Sequence, residues 1–170
     1  ISLHNSAHYQ WIIYCLEKGK NVICDKPVVL GRKEALACYK KASSHLLIFE
    51  SLPYLYHRQH RELKKTLSRQ DSSLRQVTVQ FGFPPLDKNN FRNDKNMGGG
   101  CLYDLGPYII SAGQYYFDQK ADKVSCVAFV DKKNNIPITA AVTLYFGDKK
   151  TLQGFVGFDL EYKNNLGLWG

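Results

Sequence analysis

The 170-residue chain carries 44% hydrophobic, 13% aromatic and 22% charged residues, which excludes a disordered segment or a fibre and supplies enough apolar mass for a packed core. Its 23 lysines and arginines against 15 acidic residues leave a formal charge of +8, compatible with nucleic acid, anionic lipid or a phosphorylated small molecule and choosing among none of them. No apolar run approaches the roughly 18 residues of a membrane span, and residues 1–30 lack the pattern of a secretory leader, so no membrane partner and an unexported, cytoplasmic protein are expected.

Taken in chain order, Ser6 reads as the cap of a helix on which His8, Trp11, Ile12, Cys15 and Leu16 recur at helical spacing. Gly19 would close it. Asn21 to Pro27 reads as a short buried strand that opens into a loop at Lys26, Arg32 to Ser44 as a helix, and Leu46 to Glu50 as a second buried strand. Strand, helix, strand at this length predicts a parallel crossover.

Past Pro53, Tyr54 to Gln70 reads as a basic amphipathic helix with Leu55, Leu63 and Leu67 on its apolar side. Its charges are interrupted by Glu62 and lack interleaved stacking aromatics, so a solvated face, not a nucleic-acid surface, is expected. Alternation from Leu74 to Phe83 predicts a strand, followed by a long polar loop through Asn96. Gly98-Gly99-Gly100 then introduces a helix to about Phe117. Strands are expected at Lys123 to Val130, Ile138 to Phe146 and Thr151 to Leu160, with hairpin-length connectors. The fold class is therefore α/β then α+β, with a boundary near Glu50 dividing 1–50 from 51–170.

Cys15, Cys24, Cys38, Cys101 and Cys126 are odd in number, stand singly in apolar surroundings and lack CxxC spacing. They read as buried thiols of a reducing compartment. His4 and His8 are four apart but have no third ligand at sensible spacing, so no metal is expected.

Two motifs carry chemistry. Asp25-Lys26-Pro27 stands at the carboxyl end of a parallel strand, the edge where open α/β sheets gather ligands. Alone, the tripeptide is also that of an ordinary strand end with a surface lysine. The block Gly98-Gly99-Gly100-Cys101-Leu102-Tyr103-Asp104-Leu105-Gly106-Pro107-Tyr108 is more specific. Its glycines permit close backbone approach. Pro107 in a first turn would start the helix near Asp104, with Asp104 and Tyr108 on one face. A lysine ammonium near Tyr108 would lower the phenol pKa and suit it to proton transfer. Without the glycines, Tyr108 would read as a core aromatic.

Together with His4-Asn5-Ser6-Ala7-His8, Gly19 to Pro27 and Asn90-Phe91-Arg92, these motifs resemble the middle of the Gfo/Idh/MocA family of NAD(P)-dependent sugar and polyol oxidoreductases. The resemblance spans nearly the whole chain. It implies the C-terminal part of a Rossmann domain, then an open, mainly antiparallel sheet domain with helices on one face, truncated at both ends. The open sheet would bury itself against a second subunit, making a homo-oligomer. NAD or NADP is the implied cofactor and a sugar or polyol the implied substrate.

By the same resemblance Tyr108 is the acid/base, Lys26 its assistant and Asp104 their orienting carboxylate. Asn5, His8, Asp25, Lys26 and Pro27 would line the cofactor, and Arg92, Lys26 and Tyr108 the substrate. Asp25 departs from the family's glutamate, and the pyrophosphate-binding Gly-x-Gly-x-x-Gly loop is absent. The implied arrangement puts that loop upstream of Ile1, so this stretch alone should hold a dinucleotide poorly. Those two departures favour an alternative, a non-catalytic relative that senses a dinucleotide or sugar.

Overall fold

A computed structural model describes residues 1–42, 45–69 and 73–170. A 3-10 turn over Asn5–Ala7 leads into α1 (His8–Glu17), followed by β1 (Val22–Asp25), α2 (Arg32–Ala42) and β2 (Ile48–Ser51). β1 and β2 pair in parallel, Val22 opposite Ile48 and Asp25 opposite Ser51, as the crossover pattern predicts. Ile12, Leu16, Val22, Cys24, Cys38 and Ala42 form the core of this layer. The i, i+4 series His8, Ile12, Leu16 faces inward, while Trp11 is 45% exposed.

Ser6 caps nothing. It lies inside the 3-10 turn, with its hydroxyl 3.1 Å from His4 Nδ1. Gly19 closes α1 as expected, at φ +65, with its N–H and that of Lys20 donating back to the carbonyls of Leu16 and Cys15. Ser43 and Ser44, the expected last turn of α2, lie outside the described residues, as does Gln70.

The basic segment divides into a 3-10 turn, Pro53–Tyr56, and α3 (Arg58–Arg69). Leu63 and Leu67 pack on the larger core. β3 (Gln76–Gly82) precedes the long loop and α4 (Cys101–Phe117); β4 (Lys123–Asp131), β5 (Ile136–Phe146), β6 (Lys150–Gly157) and β7 (Lys163–Trp169) follow. The sheet order is β4-β5-β6-β3-β7, with β3 and β6 parallel and the other pairs antiparallel. β7 was not foreseen. Only Leu166 and Leu168 face the core, opposite Val79 and Val77, with Asn164 before them on that face and Gly167 leaving room for Thr78 Oγ1 on the other, so the alternation is short.

α4 covers one face of this sheet. Leu105, Ile109, Ala112 and Tyr116 point into the sheet core, and Ile109 nests where a Cβ on Gly154 would lie 2.5 Å from its Cδ1. The helix begins at Cys101, not near Asp104, so Pro107 sits inside it. The carbonyl that loses its i+4 donor is that of Tyr103, a residue 39% exposed, where water can serve instead. Among the described residues no helix covers the opposite face, which exposes Val127, Phe129 and Phe155. Two cysteines depart from the expected burial: Cys126 is exposed and Cys15 half-buried, though all five are free thiols.

Candidate functional site

Lys26 and α4 come together 78 residues apart in sequence. The Lys26 ammonium donates to the carboxylate Oδ1 of Asp104 and, at 2.6 Å, to the Asp104 backbone oxygen. Arg92 Nε donates to the other carboxylate oxygen at 2.9 Å. Asp104 is 4% exposed, so one buried carboxylate is shared between two cations, the arrangement in which a buried charge is tolerated. The rest of the Arg92 side chain lies over the Phe91 ring, 4.6 Å from its centroid. A cleft of about 480 Å3 opens here, lined by Ser2, Asp25, Lys26, Arg92, Asp104 and Tyr108 among others.

The triple glycine builds this junction against protein. Gly98 has φ +77, and a Cβ on it would meet Asn5 Cβ at 2.7 Å; the Asn5 side-chain amide donates to the Gly98 carbonyl at 2.9 Å. A Cβ on Gly99 would strike the Arg92 carbonyl oxygen at 2.5 Å, and one on Gly100 would meet Pro137 at 2.8 Å. The glycines thus bring the α4 amino terminus onto the first layer and turn the Arg92 loop back over it.

Tyr108 shares the cleft with Lys26, whose nitrogen lies 5.4 Å from the ring centroid. The two make no hydrogen bond. Tyr54 and Phe81 wall the ring at centroid distances of 5.5 and 5.3 Å. The expected lowering of the Tyr108 pKa is reversed: burial raises it, the Asp104 carboxylate raises it further, and Arg92 opposes only in part. Asp104 neutralises the ammonium that was to do the lowering, leaving a phenol that is protonated at neutral pH.

The residues expected to line the cofactor divide. Asp25 is exposed at the rim, where it accepts from the Ser2 hydroxyl at 2.6 Å. Asn5 reaches the cleft wall but commits its amide nitrogen to Gly98. His8 has no exposed surface, and its two ring nitrogens face the carbonyls of Pro27 at 2.9 Å and Leu3 at 3.0 Å. It is a core residue that anchors the segment next to Lys26, and no ring nitrogen is left for a ligand. Pro27 is likewise buried.

Sequence reasoning missed Glu50, whose Oε1 accepts from the Val28 N–H at 2.8 Å and ties the Lys26 loop to β2. Parallel register puts Glu50 beside Cys24, so pairing the two strands in advance would have found it. It also missed Tyr54, whose hydroxyl lies 2.7 Å from Ser111 Oγ. Cys101, buried at the start of α4, is pushed up to about 12 by burial and is no nucleophile. Among the described residues no three His, Cys, Asp or Glu side chains gather as metal ligands, and no helix is long and apolar enough to cross a membrane.

A parallel-strand edge carrying a lysine, set against a helix carrying an aspartate and a tyrosine, defines a dinucleotide-domain edge joined to a sheet domain. Two family models match: the oxidoreductase family NAD-binding Rossmann fold over residues 1–51 and the GFO/IDH/MocA C-terminal domain over residues 69–169. The chain belongs to the Gfo/Idh/MocA family. A dTDP-3,4-didehydro-2,6-dideoxy-alpha-D-glucose 3-reductase of Actinomadura kijaniata is 28% identical over 93% of this chain and 48% of its own length. A mouse trans-1,2-dihydrobenzene-1,2-diol dehydrogenase is 28% identical over 86% of this chain and 44% of its own. Among solved structures, a 3-ketoreductase from Actinomadura kijaniata in complex with NADP and TDP-benzene superposes with a TM-score of 0.90 at 26% identity, covering 99% of this chain and 53% of that one. This chain spans about half the length of the relatives it matches.

Proposed function

We propose that the whole protein is a nicotinamide-dependent oxidoreductase of sugar-like carbonyls and alcohols, working in the reductive direction with Tyr108 as the proton donor. One observation carries this reading: Lys26, Asp104 and Tyr108 face one cleft at the carboxyl edge of β1, and burial with the nearby Asp104 carboxylate favours the protonated phenol. The cleft suits the nicotinamide end of a dinucleotide, because Lys26 supplies a cation and the Ser2 hydroxyl and Asp25 carboxylate stand at its rim to meet ribose hydroxyls. When bound, the cofactor supplies a hydride.

The chain's own residues manage the proton. Tyr108 donates its hydroxyl proton to the carbonyl oxygen as the hydride reaches carbon, leaving an alcohol and a phenolate. Lys26, its nitrogen 5.4 Å from the Tyr108 ring centroid, would stabilise the negative charge that builds on oxygen and then on the phenolate, and Asp104 fixes where that ammonium stands. Arg92 secures Asp104 from the other side and lines the same cleft, where it would meet the substrate. Cytoplasmic residence accords with the five free thiols. The uncovered sheet face, with Val127, Phe129 and Phe155, is the surface on which a second copy would sit, read as a dimer by light scattering of the full-length protein.

The test is cofactor consumption by the full-length protein, supplied with NADPH and with NADH against a panel of aldoses, ketoses and keto-sugar nucleotides. Turnover that disappears in Lys26→Met supports the reading. Tight dinucleotide binding with no turnover on any carbonyl would instead identify the non-catalytic sensor.

A further inference from the structure

On the other flank of Tyr108 lies a second hollow that the chemistry above does not use. It has a volume of about 260 Å3 between α3, α4 and the β3–β7 edge, with Tyr54, His60, Phe81 and Tyr108 as its rings and Gln59 and Asn164 among its amides. Tyr108 and Phe81 also line the groove that holds Lys26 and Arg92, so the two spaces adjoin across these two rings.

Their electrostatics differ. The lining of the hollow contains no Asp, Glu, Lys or Arg, in a chain of formal charge +8, whereas the cleft beyond Tyr108 holds Asp25, Lys26, Arg92 and Asp104. Burial pushes the Tyr54 phenol up to about 12. Burial and the neighbouring His57 lower the His60 pKa, and its Nδ1 is 2.6 Å from the Tyr116 hydroxyl. At neutral pH every group facing the space is therefore uncharged. An anion placed there would lose its hydration and find no cation. An uncharged ring would find aromatic faces for its C–H surface and primary amides for its hydroxyls.

We propose that this hollow is a substrate subsite for an uncharged, hydroxyl-bearing ring, the one next to the ring that reacts between Lys26 and Tyr108. At about 260 Å3 it falls just below the roughly 300–1,000 Å3 of drug-sized pockets, room for one ring and not for a nucleotide. The proposal rests on the oxidoreductase reading for the position of the reacting carbon, and it adds that any phosphate of the substrate must lie on the Arg92 side.

The test is calorimetry on the full-length protein saturated with NADP, titrated with D-glucose, cellobiose, maltose and glucose 1-phosphate. One of the two disaccharides should bind at least ten-fold more tightly than D-glucose. Asn164→Trp, which fills the hollow from an exposed strand edge, should bring that ratio close to one, and Gln59→Leu on the opposite rim should lower it several-fold. Any advantage of glucose 1-phosphate over D-glucose should survive both substitutions. Disaccharides no tighter than D-glucose, a ratio that survives Asn164→Trp, or no binding of any probe would overturn the proposal. Loss of turnover in Tyr108→Phe is measured separately, so the hydride chemistry can stand while the subsite falls.

Discussion

Tyr108→Phe separates the proposed chemistry, which needs the hydroxyl, from packing, which needs only the ring. The ring is held between Tyr54 and Phe81, and phenylalanine keeps those contacts. The hydroxyl has no hydrogen-bond partner among the described residues, so its loss should change stability by less than about 1 kcal/mol and melting by about 4 °C at most. Catalysis should suffer far more. Loss of a positioned proton donor costs about 100-fold or more in rate, which is about 2.7 kcal/mol of transition-state stabilisation. The assay is steady-state reduction of a carbonyl substrate by the full-length protein, with a thermal melt on the same preparation. The pH profile adds a signed check: because the Tyr108 pKa is raised, wild-type reductive turnover should hold through neutral pH and fall only above the ordinary phenol value of about 10. Turnover within about three-fold of wild type, or a melting loss large enough to account for a rate loss, would refute the assignment.

Asp104→Asn should destabilise the protein by about 2–4 kcal/mol, since the amide must present an N–H to one of two cations that the carboxylate now satisfies; a shift in the urea midpoint measures it, and Arg92→Ala should cost less because that side chain is partly exposed. Two glycines of α4 should respond with opposite signs to alanine. At Gly106, where a Cβ meets nothing within 4 Å, helix propensity should win by about 0.5–1 kcal/mol. At Gly113, where the Cβ would lie 2.6 Å from Phe146 Cζ, overpacking should cost about 1–3 kcal/mol, and the two melting curves decide. His60 has a lowered pKa in the fold, so the unfolded chain binds its proton first and stability should fall as pH drops through the ordinary imidazole value of about 6.5; His60→Phe should flatten that part of a stability-against-pH curve.

Elements with a strong local period were legible and those set by partners were not. The i, i+4 series in α1 and the alternation in β3, β5 and β6 could be read because each element's buried face repeats within its own residues. β7 has the same alternation only over Leu166 and Leu168, since Asn164 holds the preceding position of that face, and the short pattern is confirmed as a strand by its antiparallel register with β3. The start of α4 was misplaced because Pro107 was given the first-turn position it usually favours. In the fold the helix starts instead where Gly100, at φ +111, lets the chain turn beside Pro137, a contact 37 residues away that no local rule contains.

The site shows the same division with a chemical consequence. Spacing put Asp104 and Tyr108 on one helix face, and the family resemblance implied that Lys26 and Arg92 join them; the structure has all four on one cleft. Spacing could not apportion charge among them. Read pairwise, an ammonium beside a phenol lowers the phenol's pKa; read as a set, the carboxylate of Asp104 takes the ammonium on one oxygen and the Arg92 guanidinium on the other, and the phenol meets burial and a nearby negative charge. Burial contributes most to the raised Tyr108 pKa and the Asp104 carboxylate adds to it, while the ammonium expected to lower it is held at short range by that carboxylate. On the proposed reading, a phenol that stays protonated would suit carbonyl reduction, where the proton must be present before the hydride arrives. In the oxidative direction the same tyrosine would first have to ionise against that carboxylate. Asp104→Asn should therefore ease ionisation: in the full-length protein it should move the alkaline limb of the pH profile to lower pH even as it weakens the fold. An alkaline limb that stays in place or moves upward would show that burial alone sets the phenol.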